Sequence, residues 1–382
     1  MNSGYQNLDY QGPLPQPLVA QRSKSPITFL VVTVLLTVIG VIQLYSASYN
    51  EALLNGLVHY YYLSRQLQFI ALGLVASFIL LILPPRVLAF FAWPLALGVL
   101  LLLVLTLVGP FGQEKFGSRR WLQIGPLPAL QPSEFAKIAL ILLFASAQGK
   151  QRGIILPSTI AVIYSGLIFL QKDYSTMLLL VLITFSMLLV SGVRLGKVIG
   201  ILLFLFPPLF VALFSQAYRI RRVAAFLLPS LDPSGMNYQV NISLRAIAKG
   251  GWFGVGLGNG TYKLGILPEV HSDFIFASVA EEFGFVGIFL ILLLFFFYAL
   301  LGYNGAKRIE AKDPFLSALS VGATTMVASQ ALLNIAVVTG LAPPTGIPLP
   351  FFSQGGTNIF VMIIASSLLM KTLLRGNRRG DD

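Results

Sequence analysis

Long apolar runs separated by short polar stretches dominate this chain. A helix needs roughly 20 predominantly apolar residues to cross the hydrocarbon of a bilayer. The pattern predicts ten such spans, at about 27–46, 63–83, 87–108, 132–148, 154–171, 174–191, 197–215, 274–303, 314–339 and 351–374. The expected fold is therefore an all-α polytopic membrane protein with one transmembrane domain over 27–374. The tails 1–26 and 375–382 flank it. The first tail is polar and Pro/Gln-rich, which predicts disorder. The apolar run after it is too long for the core of a signal peptide. An even number of spans places both termini on one side.

Three segments interrupt the apolar pattern. Loop 109–131 is rich in Gly, Pro and aromatics and carries a Lys-Arg-Arg cluster. Loop 216–273 contains "NYQVNISLRAIAKGGWFG", which predicts a short amphipathic helix lying in the interface and ending at Gly250–Gly251. The "GGWFGVGLGNG" that follows permits close backbone approach, but without a strand-turn-helix context it does not read as a nucleotide-binding loop. The third segment, "GLAPPTGIPLPFFSQGG" at 340–356, has four prolines and cannot be a continuous helix. Irregular backbone beside a span lines a cavity or is buried in protein, so this segment is expected to re-enter or cap an outer cleft.

Composition strengthens the membrane reading: 56% of residues are hydrophobic and 10% charged. The net charge of +12 points to loops held at the cytoplasmic side rather than to nucleic acid. With both termini inside, the cytoplasmic pieces hold Arg22, Lys24, Arg86, Lys150, Arg152, Arg194, Lys197, Lys307, Arg308, Lys312, Lys371, Arg375, Arg378 and Arg379, more than half of the 26 Lys and Arg. Loop 216–273 then faces outward. There is no cysteine, which excludes disulfides and thiol chemistry, and two histidines are too few for a His-based metal site. A carboxylate-bound Mg²⁺ or Mn²⁺ is left open, although no motif points to one.

The candidate chemistry is carried by charges at the mouths of spans. In "LPEVHSDFIFASVAEEFGFVG", Glu269, His271, Asp273, Glu281 and Glu282 crowd the start of an apolar run. Asp273 suits an N-cap, and equally a general base where an outer aqueous cleft meets the membrane; the two roles are compatible. Glu281 and Glu282 lie about 12–14 Å deeper, where a carboxylate must face the bundle interior, as a structural pair or in a cavity. Glu134 and Lys137 are an i,i+3 pair that either neutralises itself or lines a site for an anionic head group. Arg119, Arg120 and Trp121 suit a lipid pyrophosphate, or an interfacial anchor.

Taken together, "RRWLQIG…LQPSEFAKIALI", "LPEVHSDFIFASVAEEFGFVG" and "NIAVVTGLAPPTGIPLPFFSQGGTN" resemble the SEDS (shape, elongation, division and sporulation) family, bacterial ten-span membrane enzymes that include FtsW, RodA and SpoVE. The resemblance covers about 27–374. It implies a peptidoglycan glycosyltransferase polymerising lipid II outside the cytoplasmic membrane, with a class B penicillin-binding protein as partner. It also implies that Asp273 matches the family's essential outer-loop aspartate. Glu134 and Lys137 match paired charges of its central cavity, and Arg119 and Trp121 fall in its first-loop motif. Arg120, Glu269, His271 and Glu281 complete the expected substrate contacts. "GLGNGTYKLGILPE" looks more like FtsW, the septal enzyme, whereas "TGIPLP" is equally at home in RodA. The chain departs from the family at "QKDYST", where Lys172 and Ser175 stand in place of Pro and Gly, so the turn at Asp173 is expected to differ. It departs again at "SQGGTN", where S-Y-G-G-S-S is common. The rivals from other classes are a lipid II flippase, with Glu134, Lys137, Glu281 and Glu282 along its pathway, and a non-catalytic division scaffold.

Overall fold

The computed structural model describes residues 24–115, 118–123, 125, 128–150, 153–196, 198–200 and 236–378. Its helices are α1 (Ser25–Leu54), α2 (Tyr61–Ile82), α3 (Pro85–Val108), α4 (Pro132–Gly149), α5 (Ile155–Leu170), α6 (Tyr174–Val190), α7 (Met236–Gly250), α8 (Ile275–Ile309), α9 (Pro314–Val338) and α10 (Gly356–Arg378). Among the described residues, six of them (α1, α2, α3, α8, α9 and α10) are long and apolar enough to cross a membrane, while α5 and α6 are apolar but shorter. Nine of the ten stretches expected from hydropathy contain a helix. Most of the stretch 197–215, most of the 1–26 tail and the first part of loop 216–273 lie outside the described residues.

Local chemistry sets the helix ends. Proline occupies the first turn of α1, α3, α4 and α9, where its missing N–H costs nothing and its φ is already helical. α10 begins five residues later than expected because 350–355 fold as turns, and it continues through the expected tail boundary to Arg378. α7 ends at Gly250, as its sequence predicts.

α4 is buried along nearly its whole length, and α10 is 83% buried across its apolar window, against 22–33% for α1, α2, α3 and α8. These two helices form the centre. α9 lies between α8 and α4, α2 runs along α10, and α3 covers α4. The outer helices turn Leu30, Leu74, Phe78, Phe90, Leu101 and Phe289 outward, as lipid contact requires. Hydrocarbon offers polar groups no water, and several inside the bundle donate to backbone carbonyls of neighbouring helices, although Gln43 Oε1, Ser48 Oγ and Gln171 Oε1 have no partner among the described residues. Tyr164 donates to Ala96 O (2.7 Å), and Gln171 donates to Leu103 O (3.1 Å).

Two features have no counterpart in the sequence reading. Loop 109–131 contains an antiparallel hairpin of β1 (Gly112–Lys115) and β2 (Ser118–Leu122), with Gln113 opposite Trp121. And α8 breaks at Gly284, whose φ of 65° and ψ of −165° are open only to glycine. The loop after α7 fills this break. Phe285 N–H donates to Gly251 O (2.9 Å) and Val286 N–H to Trp252 O (3.1 Å). In return, Val255 N–H and Gly256 N–H donate to Glu281 O (3.0 Å) and Glu282 O (3.1 Å).

Helix directions alternate, so the C-terminal ends of α1, α3, α5 and α9 meet the N-terminal ends of α2, α4, α6, α8 and α10 at one end of the bundle. The hairpin, α7 and the Pro-rich segment gather at the same end. Arg375 pairs with Asp313 (3.7 Å) at the other.

Candidate functional site

The strap ahead of α8 is held almost entirely through its backbone. Glu269 turns it with a left-handed φ of 53°. Successive carbonyls are then taken up: His271 O by Gln354 N–H (2.9 Å), Ser272 O by Ser353 Oγ (2.5 Å), and Asp273 O by Asn334 Nδ2 (2.8 Å). Asn334 Nδ2 also donates to Ile347 O (2.6 Å). One α9 side chain thus staples the strap to the Pro-rich segment.

The Asp273 side chain is left out of this scheme. The N-cap of α8 is Phe274, with no side-chain cap bond, so the N-cap role expected for Asp273 is corrected: its carboxylate caps nothing. It makes no hydrogen bond or ion pair among the described residues and stays partly open to solvent. Gly346, at φ 70°, brings the Pro-rich backbone against it; a Cβ there would lie 3.2 Å from Asp273 Oδ2. Burial raises the Asp273 pKa to about 6, with Glu269 and Asp173 pushing in the same direction and Arg120 opposing them. Such a group is ionised at neutral pH yet more basic than a free carboxylate, which suits proton removal from a hydroxyl.

A second wall comes from β2 and the start of α6. Arg120 reaches Asp173 (Nη1 to Oδ1, 3.6 Å) and donates from Nη2 to Lys172 O (3.2 Å). Its Nε, and Thr345 Oγ1 in the Pro-rich segment, are buried without a partner among the described residues. Ser175 Oγ donates to Thr345 O, which ties the α6 turn to the residue before Gly346. The departure at "QKDYST" has a physical consequence. Lys172 has φ 62°, a conformation closed to proline, and Ser175 supplies a hydroxyl that glycine lacks.

The remaining expected residues are placed differently. Arg119 turns from the site and gives its donors to Leu107 O, Gly109 O and Gly112 O (3.0–3.2 Å), pinning the hairpin to α3. Trp121 is half-buried in β2. Glu269 lies beside the site and accepts from Ser272 Oγ (2.9 Å). His271 is buried with its ring tilted at 38° against that of Tyr62 (centroids 4.9 Å apart), and burial lowers its pKa.

Glu134 and Lys137 pair at 3.0 Å inside a closed network. Lys137 also donates to Gln330 Oε1 (2.8 Å), Gln330 donates to Pro348 O (3.0 Å), and Asn358 donates to Glu134 Oε2 (2.8 Å). Lys137 is fully buried, one turn of α9 below Asn334, and supports the Pro-rich segment instead of presenting an open cation. Glu281 accepts from Thr261 N–H (2.8 Å), Tyr262 N–H (3.2 Å) and Lys249 Nζ (3.0 Å). Glu282 accepts from Ser46 Oγ (2.8 Å) and pairs with Lys263 (2.5 Å). Both therefore clamp the outer loop. Asp173, at the turn where the chain departs from the family pattern, is brought into the site through Arg120. Among the described residues no three Asp, Glu or His side chains gather as metal ligands.

The family described as cell cycle protein, FtsW/RodA/SpoVE, matches residues 27–377. The chain belongs to this family. It is 36% identical over 354 residues to the probable peptidoglycan glycosyltransferase FtsW of Trichlorobacter lovleyi, covering 90% of this chain and 92% of the relative. It is 35% identical over 365 residues to stage V sporulation protein E of Bacillus subtilis, covering 92% and 98%. A chain from the solved structure of a peptidoglycan synthase complex that coordinates polymerization and crosslinking superposes with a TM-score of 0.75 at 29% identity, covering 92% of this chain and 98% of that one. RodA of Thermus thermophilus superposes with a TM-score of 0.65 at 25% identity, covering 94% and 98%. The FtsW/RodA/SpoVE fold thus extends over the whole described bundle, and the Asp273 site lies within it.

Proposed function

We infer that this chain is a peptidoglycan glycosyltransferase of the bacterial inner membrane. It polymerises lipid II into β-1,4 glycan strands at the outer face, in septal wall synthesis. The observation that carries the assignment of chemistry is the Asp273 carboxylate: unpaired, partly open and raised to about 6, at the end of the bundle where the polar segments gather.

The acceptor lipid II presents its GlcNAc 4-hydroxyl to Asp273, which takes the proton as the oxygen attacks the anomeric carbon of the growing strand. The C1–O4 bond forms as the bond from C1 to the pyrophosphate oxygen breaks, and undecaprenyl pyrophosphate leaves. A single displacement converts an α-linked donor into a β-linked product. Among the described residues Arg120 is the cation best placed to receive the leaving charge, since its Nε has no partner there. Arg119 and Lys137 are already engaged.

Ten spans with both termini cytoplasmic are the topology we propose. α1 begins and α10 ends at the end away from the site, where Lys307, Arg308, Lys312 and Arg375 also lie. α6 ends there too, whereas α7 lies at the site end. The synthase-complex likeness supports a class B penicillin-binding protein as the partner that cross-links the strands.

Purified protein reconstituted with lipid II, with and without that partner, tests the reading on a glycan-length gel. Wild type is expected to make strands and Asp273→Asn none. Strands from both would remove Asp273 as the base, and no strands from wild type with competent lipid II and partner would overturn the polymerase assignment.

A further inference from the structure

We propose that Asp173 is a positioning residue for the glycosyl transfer: it holds the Arg120 guanidinium at the rim of the Asp273 site and so fixes where the anionic leaving group is received. The proposal rests on the glycosyltransferase reading above.

Asp173 is 1% exposed and anchored from three directions. It accepts from Gln131 Nε2 (3.2 Å) and Ser133 Oγ (3.3 Å) at the start of α4, and from Thr176 N–H (3.3 Å) and Thr176 Oγ1 (2.9 Å) at the start of α6. These bonds lock the carboxylate where it stands. Its one cationic neighbour among the described residues is Arg120, 3.6 Å away at the surface of the cluster. The same guanidinium is caught on its other arm by Lys172 O (3.2 Å), a carbonyl set by the left-handed turn at Lys172.

Two anchors leave the guanidinium little freedom, and they leave its Nε buried without an acceptor among the described residues. A buried donor in that state is costly unless a ligand oxygen meets it. The wall is continuous with the base: Ser175 ties this turn to Thr345, and Gly346 lies against Asp273 Oδ2. The opposing influence of Arg120 on the Asp273 proton agrees with that proximity.

Capping alone does not account for an acid here. Asparagine caps a helix about as well as aspartate, so the negative charge is needed for Arg120 and not for α6. This separates the two roles experimentally. Strand synthesis from lipid II is measured with the full-length protein for wild type, D173N, R120A and the double variant, with melting temperature recorded for each. D173N is expected to melt near wild type and to polymerise at least about tenfold more slowly. R120A is expected to lose as much or more, and the double variant to be no slower than R120A. D173N working at the wild-type rate, or losses that multiply in the double variant, would overturn the positioning role and leave the polymerase reading standing. Wild type making no strands would instead remove the reading beneath it. If D173N does not fold, Asp173→Ser, which also caps, takes its place under the same criteria.

Discussion

Arg119 and Arg120 are neighbours on one short strand, and Arg120 is the extra residue where the register of the hairpin shifts: Gln113 lies opposite Trp121 and Glu114 opposite Arg119. Arg119 goes to three backbone carbonyls, and Arg120 to Asp173 and the site. Arg120 then matters electrically as well as sterically. Burial, Glu269 and Asp173 raise the Asp273 pKa and Arg120 lowers it, with the balance at about 6. A base works only when ionised, so strand synthesis should hold above that value and fall as pH drops through it. Arg120→Gln removes the stabilising cation, which makes the proton harder to lose, and the acid limb should move to higher pH. Initial rates between about pH 5 and pH 8 check this; a flat wild-type profile, or a limb moving to lower pH in the variant, would refute it. Asp273 itself was legible because a charge bordering an apolar run is out of place. Its unpaired state was not, since capping Asp and catalytic Asp look alike in sequence. The difference between Arg119 and Arg120 was hidden too, because it depends on a hairpin with strands of four and five residues, too short to show alternation.

The outer loop and α8 show how an element can break and still be fully bonded. Gly284 opens the helix, and the freed backbone groups are taken up by 251–256. Glu281 and Glu282, about 100° apart on the helix, each reach a different part of the same loop. The sequence left these adjacent carboxylates open between structural pairs and a cavity, with Glu281 among the expected substrate contacts, so their pairing with the loop needed the fold; the kink was not foreseen either, since a lone glycine in a helical pattern is usually tolerated without one. The two clamps differ in burial: the Lys263 side chain is 6% exposed and that of Lys249 37%. Removing one partner of a buried pair strands the other charge, so Lys263→Met should destabilise the protein by about 3–5 kcal/mol. Lys249→Met, at a half-open pair, should cost no more than about 1 kcal/mol. Thermal unfolding of both variants in the same detergent decides the matter; equal losses would mean that Lys263 is not what holds Glu282.

Across the whole molecule the site is an assembly of contacts distant in sequence. Gln66 on α2, Asn334 on α9 and Ser175 in the turn at Asp173 are each joined to the Pro-rich segment or to the strap by one or two uncharged hydrogen bonds, and Asp173 meets β2 through one ion pair. No periodicity encodes such bonds, which is why hydropathy located the helices while the pairing of Asp173 with Arg120 needed the fold. The alternation of helix directions also fixes which ends share a side. Glu114 in the hairpin and Lys312 between α8 and α9 are both exposed, at opposite ends of the bundle. The chain has no cysteine, so single substitutions report sidedness without any background. In intact spheroplasts, a membrane-impermeant maleimide should label Glu114→Cys fully and Lys312→Cys only after the membrane is opened. Labelling of Lys312→Cys from outside would invert the topology and place Asp273 on the cytoplasmic face. A base there could not act on strands polymerised outside, and the outer-face glycosyltransfer would fall with it.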